Sequence, residues 1–430
     1  MRKTHWVLGA GVIAGVTALL VFGGSGLPRA QDSPDHMPGE VLLKFKSSVP
    51  IPVKALALAA LRSRAQARIS PLDVYVVRIP EDATVEEMVE AFGRNPDVAY
   101  VQPNYVYRAC LTPNDKYFED QYALFNKGQQ VGWVPGSPQG KPSADIKATS
   151  AWEETTGAAG VVIGILDSGV DLTHPDLKNK IKSPGYDFVN NDADATDDYG
   201  HGTMVAGIAA AETNNYEGIA GVSWNSKILP VKVLNQFGFG DTVAVVNGIL
   251  WAVDNGAQIL NLSFGTPARD TALEEALKYA FETKGVFIAA AAGNDNTAVY
   301  YPAAYDRYVC ATAATDYNDQ RTTWSNFGSE IDVAAPGDKI ISTYPVALAQ
   351  AAGFPPYKFQ DGTSMASAYV AGLAALIRGI KPSLTPSEIM NIIRYSADDV
   401  NSSIYKGQDV FLGYGRINME KALVPLKIVK

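Results

Sequence analysis

The sequence is poor in the residues that usually build metal centres and disulfide frameworks. Its 430 residues include only two cysteines, Cys110 and Cys310, and four histidines. The two cysteines do not have the spacing of a zinc site. In an exported protein they can pair, but the apolar stretch "YVCATAA" around Cys310 is equally typical of a buried, inert thiol. The sequence leaves both alternatives open.

Positive charge is also scarce. Lys and Arg number 36 against 45 Asp and Glu, which gives a formal net charge of −9. Nucleic-acid binding depends on a basic surface that pairs with phosphates. The charge balance therefore argues against a nucleic-acid partner and identifies no other.

The N-terminus has the pattern of an export signal. Arg2 and Lys3 precede an apolar run over 6–22, and small residues follow at 23–26. The run is slightly long for a signal and slightly short for a membrane-spanning helix. We predict a cleaved signal peptide over 1–30, with an uncleaved membrane anchor as the alternative. In both cases the rest of the protein is expected outside the cytoplasm, either secreted or facing outward from a membrane. A membrane is an expected partner only if the signal stays uncleaved.

Residues 40–109 have the pattern of a small α+β domain without catalytic residues. After a linker over 31–39, the segment predicts a strand at "EVLLKFK", a helix over 53–69, a strand at "LDVYVVRI", a helix at "TVEEMVEAFGRN" and a last strand over 98–109. Thr84 and Glu87 have the spacing of a capping box. This βαββαβ-like order is typical of a ferredoxin-like split sandwich.

The pattern changes over 112–425, where apolar runs such as "VVIGILD", "KILPVKVL" and "QILNLSF" alternate with helical segments. Continuous apolar strands alternating with helices predict an α/β fold with a mostly parallel central sheet flanked by helices on both faces. Residues 426–430 are a C-terminal tail.

Scarce histidine narrows the choice of catalytic base. Residues 111–430 contain only His174 and His201, so a base that works near neutral pH is one of these two. Asp167 directly follows an apolar strand, and Ser364 begins a stretch too apolar for a surface helix. Each residue also has an ordinary interpretation: a turn aspartate, a structural histidine and a helix-capping serine.

Five blocks, taken together, carry a specific resemblance. "ILDSGVDLTHPDL", "GHGTMVAG", "ILNLSFG", "AAAAGN" and "DGTSMASAYVAG" resemble the successive signatures of the subtilisin-like serine proteases. The stretches "TPNDKYFEDQYAL" and "NNYEGIAGV" are most similar to the thermitase branch, and residues 40–109 resemble the inhibitory propeptide of the same family. The resemblance implies a secreted endopeptidase that cuts peptides or proteins, is made as a self-processed zymogen, and is inhibited by its own propeptide.

The resemblance also implies the site residues. Asp167, His201 and Ser364 would be the triad, and the Asn294 side chain and the Ser364 N–H would bind the oxyanion. The substrate would add as a strand between two segments, with small residues lining an apolar pocket for a large side chain before the cut. These expected substrate-binding residues are Gly238, Phe239, Gly240, Ser263, Phe264, Gly265, Ala291, Ala292 and Gly293.

Calcium is the expected cofactor, with a structural role at two places. The first set of ligands would be Asp115, Asp176, the Asn215 side chain and the carbonyls of Thr213, Glu217 and Ile219. The second would be Asp187, Asn190, Asp192, Asp194 and Thr196, for which an acidic, solvated loop is the alternative.

Three residues depart from the family pattern. Ala368 and Tyr369 stand where the family usually has Pro-His, and Met204 stands where a second His is common. None belongs to the triad, so rate and pH profile are in question rather than the type of reaction. The loops at 126–144 and 345–360 are longer than expected. Two alternatives stay open: an esterase with the same triad, although the G-x-S-x-G elbow is absent, and a catalytically silent surface-binding protein.

Overall fold

The structure is a computed structural model that describes residues 36–105 and 111–428. Outside the described residues lie the predicted signal peptide, residues 31–35 of the predicted linker, and residues 106–110, which include Cys110. The chain divides into two compact units, 1–106 and 107–430, which are described separately.

The first unit is an antiparallel sheet with helices. Its elements are β1 (His36–Phe45), α1 (Ile51–Ala60), β2 (Arg64–Ile69), β3 (Val74–Arg78), α2 (Val85–Gly93) and β4 (Val98–Tyr105). The strand order β2-β3-β1-β4 is ferredoxin-like, as predicted. Val41, Leu43, Val77 and Phe92 are fully buried in its core, and the capping box between Thr84 and Glu87 is present.

Two predictions for this unit were wrong in detail. Strand β1 begins at His36, inside the predicted linker. Residues 64–69, predicted to continue the first helix, form strand β2 instead. The helix ends at Ala60, Arg62 takes a φ of 50°, and the chain turns back to pair antiparallel with β3. A backbone with positive φ cannot continue a right-handed helix, and the sheet partner that holds β2 is not visible in local periodicity.

The second unit is built on a parallel sheet, as predicted. Its strands are β5 (Val162–Asp167), β6 (Tyr186–Asp187), β7 (Lys227–Lys232), β8 (Ile259–Leu262), β9 (Phe287–Ala291), β10 (Cys310–Thr315) and β11 (Val333–Pro336). They lie in the order β11-β10-β9-β8-β5-β7-β6, and every pairing is parallel. A separate antiparallel hairpin consists of β12 (Ile340–Thr343) and β13 (Tyr357–Gln360).

Helices accompany this sheet, and one of them passes through the core. They are α3 (Ala148–Trp152), α4 (His201–Ala210), α5 (Thr242–Asp254), α6 (Thr271–Lys278, continued by a π-turn over Tyr279–Thr283), α7 (Val346–Ala352), α8 (Thr363–Ile380), α9 (Pro386–Ser396) and α10 (Met419–Ile428). Among the described residues, α8 alone is long and apolar enough to cross a membrane, but 89% of it is buried inside this unit. It is a core helix, which explains why the sequence after Ser364 is too apolar for a surface.

The topology brings the carboxyl ends of neighbouring strands together. Strands β9, β8 and β5 are adjacent, with Leu166 opposite Leu262 and Leu262 opposite Ala290. In parallel α/β sheets, sites form outside this edge. The residues that follow these strands are therefore the first candidates for a functional site.

Candidate active site

Asp167 and His201 form a buried acid–imidazole pair. Asp167 ends β5 and is fully buried, while His201 opens α4. The His201 Nδ1 lies 2.8 Å from Asp167 Oδ1 and 3.0 Å from Oδ2. Burial lowers the pKa of His201, but the charge and hydrogen bond of Asp167 outweigh it and leave the pKa above its usual 6.5. This contact leaves the other ring nitrogen, Nε2, for proton transfer.

The glycine after His201 makes this close approach possible. A Cβ at Gly202 would lie 2.1 Å from the carbonyl oxygen of Gly169 and 2.9 Å from the Asp167 Cβ. Any larger residue would push α4 away from the end of β5. The "GHG" motif is thus explained by packing as well as by chemistry.

His174, the other candidate base, has a structural role. It is fully buried, its Nε2 lies 3.0 Å from the Pro356 carbonyl, and its Nδ1 accepts the Asp176 N–H at 3.1 Å. Because both nitrogens are engaged with backbone groups, His201 is the histidine that fits a base.

Ser364 lies in the first turn of α8, and its side chain is largely buried. Its hydroxyl donates to the Ser263 carbonyl at 3.0 Å rather than to His201. Nucleophile–base hydrogen bonds are often absent before substrate binds. A role as nucleophile would require the hydroxyl to turn from the Ser263 carbonyl toward the imidazole of His201.

Asn294 and the start of α8 present two donors to one space. The Asn294 Oδ1 accepts the Thr363 N–H and the Thr363 hydroxyl, both at 2.9 Å. These bonds fix the amide, so that its Nδ2 points the other way. A Cβ at Gly362 would lie 3.7 Å from both the Asn294 Nδ2 and the Ser364 N. Two N–H groups that border the same space are what a developing oxyanion needs.

The segment Gly238–Gly240 leaves alternate backbone groups available. The N–H and the carbonyl of Phe239 are both engaged with Asn235. Within the described residues, the Gly238 carbonyl and the Gly240 N–H have no partner. Groups at alternate positions suit the addition of an extended peptide. The Tyr199 ring, two residues before His201, lies against Gly238, and sequence reasoning had missed it.

The other predicted substrate-binding residues differ in exposure. Ser263 is buried and its carbonyl is occupied by Ser364, Phe264 is half-buried, and Gly265 is exposed. Ala291 and Ala292 are buried, and Gly293 is half-buried. The surface available near the end of β9 is therefore small-residue backbone rather than large side chains.

Asp197 is a second buried carboxylate beside the pair, and sequence reasoning had missed it too. One oxygen accepts the Ser168 hydroxyl at 2.8 Å and two backbone N–H groups, and the other accepts the Thr203 N–H and hydroxyl. Burial raises its pKa despite these bonds. Its charge also raises the pKa of His201. Asp197 thus fixes the start of α4 and contributes to the field at the imidazole.

The first predicted ligand set combines side-chain oxygens that accept N–H donors with three carbonyls that accept none within the described residues. Asp176 is fully buried and Asp115 is 5% exposed. Burial is the main cause that raises the pKa of Asp176 to about 7 and that of Asp115 to about 6. Within the described residues, the carbonyls of Thr213, Glu217 and Ile219 accept no hydrogen bond. The Asn215 amide donates to Asp176 at 2.9 Å.

The second predicted ligand set bonds mostly to itself. Both oxygens of Asp187 accept donors from Val189 and Asn190. Asp192 accepts the Asp194 N–H, and Asp194 accepts the N–H and hydroxyl of Thr196. In the part of the chain that the structure describes, no three His, Cys, Asp or Glu side chains gather as a metal-binding group. Any cation would therefore take several ligands from amides and carbonyls.

The residues that depart from the family pattern are all buried. Met204, Ala368 and Tyr369 are between 0% and 2% exposed. Helix α8 begins at Thr363 without the proline, and the Met204 carbonyl accepts the Ser342 hydroxyl. Cys310 is also buried and has no disulfide partner among the described residues, which exclude Cys110.

Comparisons with known proteins found family matches for both parts of the chain. Residues 158–415 match the subtilase family, and residues 26–104 match the fervidolysin N-terminal prodomain. The chain is 38% identical over 395 residues to the thermophilic serine proteinase of Bacillus sp. (strain AK1), covering 90% of this chain and 88% of that protein. It is 40% identical over 312 residues to thermitase of Thermoactinomyces vulgaris, covering 73% and 99%. A solved structure of a protease from Pseudoalteromonas arctica PAMC 21717 has a TM-score of 0.62 at 31% identity and covers 74% of this chain and 100% of that one.

Proposed function

The chain belongs to the subtilase family and is a subtilisin-like serine protease with an N-terminal prodomain, and on that premise we propose that Asp167, His201 and Ser364 are its catalytic triad. The observation that carries the proposal is the 2.8 Å contact between Asp167 and the His201 Nδ1. It orients the imidazole so that Nε2 can accept a proton from a serine.

The proposed reaction begins when substrate binds and the Ser364 hydroxyl leaves the Ser263 carbonyl for His201. His201 takes the hydroxyl proton while Oγ bonds to the carbonyl carbon of the substrate. The carbonyl oxygen becomes an oxyanion, which the Ser364 N–H and the Asn294 amide stabilise. His201 then protonates the leaving amine, the C–N bond breaks, and an acyl-enzyme is left. Water, deprotonated by His201, releases the acid and restores Ser364.

We propose that the substrate is an extended peptide that pairs with the free groups of Gly238 and Gly240. Broad specificity, with a preference for a large apolar residue before the cut, is consistent with the small residues at 291–293. The exposed Phe239 offers an apolar surface beside the bound strand.

A fluorophosphonate probe tests the triad. The active enzyme should be labelled once per chain, and Ser364→Ala should not be labelled. Labelling that persists in Ser364→Ala would contradict the role of Ser364, and absence of labelling in both would favour a silent protein. Turnover of a peptide amide against the matched ester separates a protease from an esterase.

We also propose that the protein is exported and matures by self-cleavage. The basic and apolar pattern of residues 2–22 supports export, and the prodomain match supports a precursor form. The expected cut, after Ala109 or Cys110, lies outside the described residues. Ser364→Ala should accumulate as the unprocessed precursor, and a mature start found well inside the catalytic domain would refute the site.

Calcium is the proposed structural ion at the first ligand set. Among the described residues, two nearly buried carboxylates form no salt bridge and three carbonyls accept no hydrogen bond. Oxygens of these kinds are the ligands that calcium prefers. Asp115, Asp176, Thr213, Asn215, Glu217 and Ile219 would hold the ion. Bound calcium would offset the repulsion between the carboxylates and tie residues 213–219 to the N-terminal segment of the unit. In the second set Asn190, Asp192 and Asp194 are exposed, and that site remains a prediction from the sequence.

Removal of calcium tests this proposal. A chelator should lower the melting temperature and hasten self-digestion, and added calcium should restore both. Asp176→Ala should behave like the chelated protein even at high calcium. Metal analysis distinguishes one bound ion from two. If the chelator leaves the melting temperature unchanged and the purified protein contains no metal, the proposed calcium site is refuted.

A further inference from the structure

The hydroxyl of Tyr357 is buried without a hydrogen-bond partner. Tyr357 is 3% exposed, and no donor or acceptor among the described residues reaches its Oη. An unsatisfied buried hydroxyl costs free energy, and nearly all such groups in folded proteins have a partner. A phenylalanine would fill the same space without that cost, so the hydroxyl needs an explanation.

This hydroxyl lies beside the proposed calcium ligands. A Cβ placed on Gly218 would be 2.2 Å from the Tyr357 Oη and 2.2 Å from the Asp176 Oδ2. The two oxygens therefore share the small space above Gly218. That glycine lies between Glu217 and Ile219, whose carbonyls are unpaired. The phenol therefore lies beside the Asp176 carboxylate and next to a turn whose flanking carbonyls accept no hydrogen bond among the described residues.

The ring of Tyr357 is held so that it cannot easily turn away. It packs edge-on against the His174 ring, with centroids 5.3 Å apart, and against the Tyr117 ring at 5.0 Å. His174 in turn bonds to the Asp176 N–H and to the carbonyl of Pro356, the neighbour of Tyr357. The hydroxyl is therefore fixed toward the ligands rather than left there by a mobile side chain.

Tyr357 comes from the 345–360 segment, which is longer than the family pattern predicts. Trp133, from the other long loop at 126–144, packs on Phe359 and on Tyr117. The two long segments meet around the ring that carries the free hydroxyl.

We propose that Tyr357 is a positioning residue for the bound cation, and that its hydroxyl donates to a ligand carboxylate or to a metal-bound water once the ion is present. The inference rests on the proposed calcium site. Because no described protein atom bonds to the hydroxyl, a hydrogen bond that it gains when the ion binds should add to calcium affinity without stabilising the calcium-free protein. A residue that only fills space would affect both states equally.

The test compares Tyr357→Phe with its parent, both as full-length chains carrying Ser364→Ala to prevent self-digestion. Calcium alone is titrated calorimetrically into chelator-treated protein, and melting temperatures are measured with chelator and with excess calcium. Loss of an outer-shell hydrogen bond typically weakens metal binding about 10–100-fold. We expect Tyr357→Phe to bind calcium at least about tenfold more weakly, while its melting temperature in chelator is equal to or above that of the parent.

Tyr305→Phe is the matched control, because the Tyr305 hydroxyl is bonded to the backbone of Asp270. It should lower the melting temperature equally with and without calcium and leave calcium affinity unchanged. Parent-like affinity in Tyr357→Phe, or an equal loss of melting temperature in both states, would overturn the role of Tyr357 alone. A parent that binds no calcium would overturn the calcium site and this inference together.

Discussion

Replacing Asn294 with alanine should lower turnover and leave substrate binding nearly unchanged. The amide is held by two bonds from Thr363, so its Nδ2 faces the space shared with the Ser364 N–H. A donor aimed at a charge that exists only in the transition state contributes to kcat rather than to KM. A hydrogen bond to a charged group is worth about 1.5–3 kcal/mol, roughly 10- to 150-fold in rate. Subtilisin, a relative, loses about 2.7–4 kcal/mol when its corresponding donor is removed.

Thr363→Val provides a graded companion to this change. It removes the hydroxyl's bond to Asn294 and its bond from the Gly293 N–H, but it keeps the backbone N–H bond to Asn294, so the amide stays in place with less support. A neutral hydrogen bond contributes about 0.5–1.5 kcal/mol, so kcat should fall roughly 2- to 13-fold. Steady-state kinetics on a peptide substrate, with melting temperatures to check folding, separate the two parameters. An Asn294→Ala enzyme with normal kcat and raised KM would refute the oxyanion role.

Two further predictions concern His201. The base works in its neutral form and its pKa is raised above 6.5, so kcat/KM should fall as the pH drops through that raised pKa. Asp167→Asn should move the acid limb of the pH–rate profile to lower pH. An acid limb that does not move would show that another group sets it. Asp197→Asn should lower kcat, because its amide NH2 would face donors such as the Thr203 N–H. It should also move the acid limb to lower pH, because a negative charge that raises the pKa of His201 is lost. A lower melting temperature with an unchanged pH profile would mean that Asp197 only supports the helix.

Much of this architecture could be predicted because it depends on local patterns of apolar and capping residues in the sequence. Buried parallel strands must be continuously apolar, so "VVIGILD" identified both β5 and the acid at its end. The capping box at Thr84 fixed the start of α2 in the same way. Scarcity of histidine limited the base to two residues and the family resemblance indicated His201, a choice with which the backbone contacts of His174 are consistent.

What could not be predicted depends on contacts between distant segments. Strand β2 has no buried side chain and exists because β3 pairs with it. Asp197 looks like one acid among several in "DADATDD" until Ser168 and Thr203 are seen around it. The bond from the Ser364 hydroxyl to Ser263 spans 101 residues. No periodicity or motif spacing encodes such pairings.

The β12–β13 hairpin connects these separate findings. Ser342 and Thr343 donate to the carbonyls of Met204 and Thr203 in the helix that carries His201. The other strand carries Tyr357, over the proposed calcium ligands, and the chain then runs through Gly362 into the helix of Ser364. One hairpin therefore contacts the base helix, the ligand set and the segment leading to the nucleophile. Because packed elements transmit displacement with little compression, a change that loosens the ligand set should disturb the spacing of His201 and Ser364. With calcium present, hairpin substitutions that weaken ion binding should therefore lower both the melting temperature and kcat, measured on the same preparations.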